Sequence, residues 1–299
     1  MAESGFRDLE RALFELVAET AVKLPGDVEE AIRRAAALEE REVARVVYRA
    51  YLDNVEVARS RRLPLCQDTG VPEFFLWLGE RFPHKRALLR AVERAVARAV
   101  EEGYLRLNSR DPVTWAPLKP SRASGFPLVH VVDIIEGYSG ADLALYLAGG
   151  GASRASLATV LDPSSSLEDV AELVAEAIVE RASRACPPLV VGVGLASTIE
   201  SAALNSKLAL LRPLGSRSER RDLAALEEAV VETGNALGLG PQSLGGAVTV
   251  LDAHVVASSA HPSALAVAVS FSCWALRRSR ARVSENLEVE VVPYVYGGV

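Results

Sequence analysis

Helix-like and strand-like runs succeed one another along this chain without the regular βαβ alternation that an all-parallel sheet requires. Apolar residues at helical spacing predict helices over about 6–22, 27–39, 41–60, 85–102, 166–185, 197–211 and 218–236. In the third, Val43, Val46, Val47, Ala50 and Tyr51 fall at i, i+3, i+4, i+7 and i+8, with charges on the opposite face. Short apolar runs predict strands over 71–79, 127–135, 141–149, 189–194, 246–257, 264–272 and 287–296. The mixture predicts an α+β fold. Residues 1–299 read as one domain, and the loop 107–127, with Pro112, Pro117, Pro120 and Pro127, divides it into candidate lobes 1–115 and 116–299.

The charge balance narrows the partners. Net charge is -6, and no long basic run stands out, so nucleic acid gains no support. No apolar stretch approaches the roughly 18 residues of a membrane span. The start, MAESGFRDLERALFELVAET, is an amphipathic helix pattern with acids throughout, unlike a secretory leader. The expected location is the cytoplasm.

Three cysteines, Cys66, Cys186 and Cys273, stand far apart, each where a helix or strand meets a turn. An odd count argues against a disulfide framework. Pro187 and Pro188 fix the backbone after Cys186 and remove two N–H groups, which suggests a thiol held in one direction. Three thiolates suit a zinc site with one further ligand, an iron–sulfur cluster, or three inert buried thiols. The spacing favours none of these, although the close C-x-x-C pairs of structural zinc sites are absent. A [4Fe–4S] cluster with three cysteine ligands has one iron with an open position, a Lewis acid for a hydroxyl or carboxylate.

Other residues admit a bland and a chemical reading. Gly149-Gly150-Gly151 after a strand is either a turn or a close backbone approach to an anion. It is neither G-x-G-x-x-G nor a Walker loop, so nucleotide binding lacks support. Asp68, after Cys66 and Gln67, is a turn former or a proton carrier. Arg106 and Arg110 are surface charges or bidentate carboxylate binders. His254 and His261 precede Cys273, and His261 sits at a break between strand-like runs, where active-site residues often occur.

The motifs PLCQDTG, LRLNSRDP, GGG, CPPLVVGVG with the following LLRPLG, GLGPQSLGG, and AH…SFSC occur in one order. Together they resemble the cluster-bearing part of class I fumarate hydratases and the related L-tartrate dehydratases, from about residue 40 to the end. The resemblance implies two lobes around a central cluster-binding cleft. It implies that Cys66, Cys186 and Cys273 ligate a [4Fe–4S] cluster. It implies that Gln67, Asp68, Arg106 and Gly149 contact a small dicarboxylate, and that Asp68 and His261 are catalytic. Lys207 and Arg212 read as structural. The implied activity is reversible hydration of fumarate to L-malate. The alternatives are dehydration of L-tartrate or another hydroxy acid, and a non-catalytic iron–sulfur protein. Single-chain relatives carry further site residues in a C-terminal domain, so a separate beta subunit and a hetero-oligomer are expected. Two segments depart from the family pattern: Ala148 and Ala152-Ser153-Arg154 around the glycines, and VTWAPLKPSRASGFP after the arginine motif.

Overall fold

The computed structural model describes the backbone of residues 2–298 and the side chains of residues 5–298. The chain opens with α1 (Ala2–Val22), α2 (Gly26–Leu38) and α3 (Glu42–Arg61), then β1 (Val71–Gly79) and α4 (Lys85–Glu101). After the Pro-rich loop come β2 (Leu128–Ile135), β3 (Ala141–Ala148), α5 (Gly150–Ala155), β4 (Leu157–Leu161), α6 (Leu167–Arg181) and β5 (Leu189–Ala196). The rest is α7 (Ile199–Ala209), α8 (Arg221–Ala236), β6 (Val250–Ala257), β7 (Leu265–Ser272), β8 (Arg278–Val283) and β9 (Val289–Val292). The fold is α+β. Among the described residues no helix is long and apolar enough to cross a membrane.

The chain divides into two compact units, and each is built from separate segments. The first comprises 1–25, 54–149 and 277–294, and the second comprises 26–53, 150–276 and 295–299. The Pro-rich loop, expected to separate lobes 1–115 and 116–299, lies inside the first unit. Arg110 donates to the Trp115 carbonyl (3.0 Å), and Ser121 caps a short 3₁₀ turn at 122–124. These bonds give the loop its own internal structure.

The first unit holds a five-stranded sheet in the order β2-β1-β3-β8-β9, parallel only between β1 and β2. Phe74, Leu76 and Leu78 of β1 and Leu143, Leu145 and Leu147 of β3 share one face. That face packs against Leu9, Leu13 and Val17 of α1 and Leu88, Val92 and Val96 of α4. Alternation along the strands and a 3.6-residue stripe along the helices bury the same core from two sides.

The second unit holds a four-stranded sheet in the order β4-β7-β5-β6, parallel only between β5 and β6. β5 is buried at every position, because both of its faces are covered. Leu189, Val191 and Val193 join the apolar cluster formed with Val170 and Val174 of α6 and with Leu226 and Val230 of α8. The opposite face meets α7 at very close range. A Cβ at Gly194 would lie 2.0 Å from the Ala202 carbonyl oxygen, so only glycine fits.

The sequence reading missed two strands. β4 is a short edge strand of alternating exposure. β8, RSRARV, carries three arginines, yet its Ala281 and Val283 reach the core. Neither run has the apolar density that marks a strand from sequence.

Candidate functional site

The same structural device builds two clusters of functional side chains. In the first unit, antiparallel β1 and β3 pair Val71 with Ala148. The residues entering β1, Cys66 to Gly70, therefore lie beside Gly149, which follows β3. Gly70 takes φ +80°, and a Cβ there would approach Leu147 C to 2.8 Å. The loop is then pinned from several sides. Leu65 N–H donates to the Ala21 carbonyl (2.9 Å), and Asn54 Nδ2 donates to the Leu65 carbonyl (2.9 Å).

Asp68 sits at the centre of this cluster. Its Oδ1 accepts from Gly70 N–H (3.0 Å) and from Asn108 Nδ2 (3.3 Å). A Cβ built at Gly149 would stand 3.6 Å from Oδ2, so that oxygen faces the glycine. Buried Thr69 accepts the Arg106 main-chain N–H at Oγ1 (2.8 Å). That bond brings the segment 106–108 alongside the cysteine loop. The Arg106 and Gln67 side chains are exposed, and Cys66 is half-buried. Arg277 Nη2 donates to the Asp68 carbonyl (2.9 Å). The first unit thus gathers Cys66, Gln67, Asp68, Arg106 and Gly149 in one place.

In the second unit, antiparallel β5 and β7 pair Val190 with Ser272. Cys186, just before β5, and Cys273, just after β7, therefore lie at the same end of the sheet. Cys186 adopts φ +53°, a left-handed conformation that costs a residue with a Cβ on the order of 1 kcal/mol. The neighbouring hydrogen bonds hold it there. Its carbonyl accepts from Trp274 N–H (3.3 Å). The Pro187 carbonyl accepts from Gln242 N–H (2.8 Å) and the Tyr51 hydroxyl (3.2 Å), and Gln242 Nε2 donates to that hydroxyl (2.7 Å). The Tyr51 ring stacks on Trp274. Burial raises the Tyr51 phenol well above its ordinary value, and the hydrogen bond from Gln242 offsets only part of that rise.

His261 lies elsewhere in the second unit. It bridges to Ala264 in the exposed turn before β7, where Ser263 N–H donates to its Nδ1 (3.0 Å). Cys273 follows the other end of β7, and an eight-residue strand spans on the order of 25 Å. His261 is therefore not gathered with Cys186 and Cys273. His254 is fully buried on β6, with Nε2 3.4 Å from Asp252 Oδ2, and serves the interior. Arg212 forms an ion pair with buried Glu227, in keeping with a structural role.

Asn108, Thr69, Tyr51, Gln242 and Arg277 complete these clusters and were not singled out from sequence. Asn108 and Thr69 stand inside the quoted motifs LRLNSRDP and PLCQDTG. Gln242 stands inside GLGPQSLGG, and the roles of Tyr51 and Arg277 have no local signal.

None of the three cysteines is fully buried, and Cys186 is exposed. Among the described residues, no group of three or more His, Cys, Asp and Glu residues is assembled as around a metal ion. The donor chemistry still suits a thiolate-ligated group. Two sulfurs share one sheet end, and the third sits on a loop carrying a carboxylate and next to an arginine segment.

The family model described as Fumarate hydratase (Fumerase) matches residues 10–282. The L(+)-tartrate dehydratase subunit alpha of Escherichia coli (strain K12) is 36% identical over 294 residues, 97% of this chain and 97% of that protein. A putative L(+)-tartrate dehydratase subunit alpha of Methanocaldococcus jannaschii is 32% identical over 271 residues, 90% of this chain and 95% of that protein.

Proposed function

This chain belongs to the Fumerase family, and from that premise we propose that it is the cluster-bearing alpha subunit of a hydro-lyase acting on a small dicarboxylate. The observation that carries this reading is the placement of Asp68. It follows Cys66 by two residues and is tied by hydrogen bonds to the segment of Arg106 and to the turn at Gly70.

Cys66, Cys186 and Cys273 would hold a [4Fe–4S] cluster. When bound, such a cluster supplies a Lewis-acidic iron that helps a substrate hydroxyl depart. The chain's own residues do the rest. Arg106 offers a guanidinium for bidentate contact with a substrate carboxylate, on a main chain fixed by Thr69. Gly149 presents no Cβ towards Asp68, and its backbone is proposed as a contact for a second carboxylate. Gln67, exposed beside it, donates or accepts at the substrate's edge. Asp68, positioned by bonds from Gly70 and Asn108 to Oδ1, is assigned to carry the proton that joins the departing hydroxyl as water. The neighbouring C–H proton leaves to a base on the beta subunit. The relatives are named as alpha subunits, which supports such a partner. His261 lies at the far end of β7 from Cys273, so no proton step is assigned to it. A thiolate-held, oxidation-sensitive cluster suits a reducing compartment such as the cytoplasm.

Reversible hydration of fumarate to L-malate is the first reading, on the family's description. Dehydration of L(+)-tartrate is the second, favoured by the name of a relative aligned over 97% of both chains. The experiment is anaerobic co-purification with the beta subunit and measurement of kcat/KM for both reactions. At least one reaction proceeds if the reading is right, and the larger kcat/KM assigns the substrate. A loaded cluster with neither activity would leave a non-catalytic iron–sulfur protein.

A further inference from the structure

Arg277 is the largest side chain to be fully buried, at 1% exposure. One of its nitrogens, Nη2, donates to the Asp68 carbonyl at 2.9 Å. The other two, Nε and Nη1, are buried with no hydrogen-bond partner among the described residues. A guanidinium stays charged at every physiological pH and is costly to bury without an anion. A backbone carbonyl brings only part of a dipole against it. The rest of the compensation has to come from something negative that arrives at this loop.

The loop suggests what that is. Asp68 is two residues after Cys66, and Arg277 is four residues after Cys273, so the arginine belongs by sequence and by contact to the cysteine segments. A cluster held by thiolates carries net negative charge, and its sulfurs accept hydrogen bonds that tune and protect it. We propose that Arg277 is a positioning residue for the bound cluster. It fixes the Cys66–Gly70 loop through the Asp68 carbonyl, and it reserves Nε and Nη1 for the anionic sulfurs of a group bound at that loop. This inference rests on the iron–sulfur reading above.

The apo and loaded states then respond in opposite ways to loss of this charge. Without a cluster, Arg277 is an incompletely paired buried cation, and an apolar side chain of similar length is tolerated at least as well. With a cluster, its removal strips donors from the sulfurs. The test uses the complex of this chain with its beta subunit, purified anaerobically as wild type, Arg277→Met and Arg277→Lys. The readouts are the apo melting temperature and the rate of sulfide loss from the loaded protein in air. We expect apo R277M to melt no lower than wild type and the loaded variant to lose sulfide about tenfold faster, the factor associated with a lost hydrogen bond to a charged group. R277K, a point charge without the fork, falls between them. R277M that loses sulfide at the wild-type rate overturns the inference while sparing the iron–sulfur reading. Apo R277M that melts well below wild type assigns the arginine to structure alone and also overturns it. Should R277M fail to fold, R277K decides: several-fold faster loss supports the inference, and the wild-type rate overturns it. Wild-type protein that takes up no iron and sulfide defeats the iron–sulfur reading and this inference together.

Discussion

Tyr51 lies flat against Trp274, with ring centroids 4.1 Å apart and planes 13° from parallel. The stack joins α3 to the residue immediately after Cys273, while the Tyr51 hydroxyl bonds the carbonyl of the residue immediately after Cys186. One tyrosine thus braces both cysteine segments of the second unit. Tyr51→Phe keeps the stack and loses the hydroxyl, and should cost about 1 kcal/mol of stability. Tyr51→Ala loses both and should cost about 3–5 kcal/mol. Chemical denaturation of the apo protein measures each, and equal losses would contradict the two-part brace.

Asp68 is assigned to proton transfer and not to metal binding. Asp68→Asn should lower kcat by about 10²–10⁴-fold while iron and sulfide content stays at the wild-type level. Asn108→Ala removes a partner of Oδ1 and should lower kcat more modestly, by about tenfold. Steady-state kinetics paired with iron analysis check both. An unchanged kcat in Asp68→Asn would remove it from the mechanism.

Gly194 lets α7 lie almost on the backbone of β5. Gly194→Ala places a Cβ where the Ala202 carbonyl stands and should destabilise the protein by about 3 kcal/mol or more, within the range of overpacking and strain. A melting temperature within a degree of wild type would show that α7 can retreat.

Asp252 links β6 to the loop after α7. Its carboxylate accepts from Gly215 N–H (2.6 Å) and Arg217 Nη1 (2.8 Å) and stands beside His254. Burial opposes its ionisation, but His254, Gly215 and Arg217 outweigh that and hold the carboxyl below the ordinary aspartate range. A depressed folded value means that the stabilisation is present above the unfolded pKa of about 3.9 and is lost as pH falls through the folded value. Asp252→Asn should therefore cost about 1–3 kcal/mol at neutral pH, with the gap to wild type closing below about pH 4. A gap independent of pH would contradict this.

Much of the fold was legible in the sequence because periodicity reports which face of each element is buried. The unbroken run LVVGVGLA of β5 is a plain example, whereas the stripe read on α3 misses the buried face: Val43 and Val46 are exposed, and Ala44, Tyr48, Tyr51, Val55 and Ala58 face the interior. Register is not written locally. Nothing within PLCQDTG states that Val71 will face Ala148, and nothing in ACPP states that Val190 will face Ser272. Those two pairings are what bring Asp68 to Gly149 and Cys186 to Cys273. The same blindness to register applies to His261. Twelve residues before Cys273 in sequence looks close, but eight of them form an extended strand, which carries the histidine to the far end. Arg277 and Tyr51 were missed for a related reason, since burial of a polar side chain in an apolar setting is a property of the fold.

The central claim is that three thiols, from positions 66, 186 and 273, hold one iron–sulfur cluster. Its most direct test is iron and acid-labile sulfide measured per chain after anaerobic purification with the beta subunit, for wild type, for each single Cys→Ser variant and for His261→Ala. The account predicts about four of each in wild type and in His261→Ala, and large losses in Cys66→Ser, Cys186→Ser and Cys273→Ser alike. Stoichiometric zinc without sulfide, or full iron and sulfide in Cys66→Ser, would contradict it.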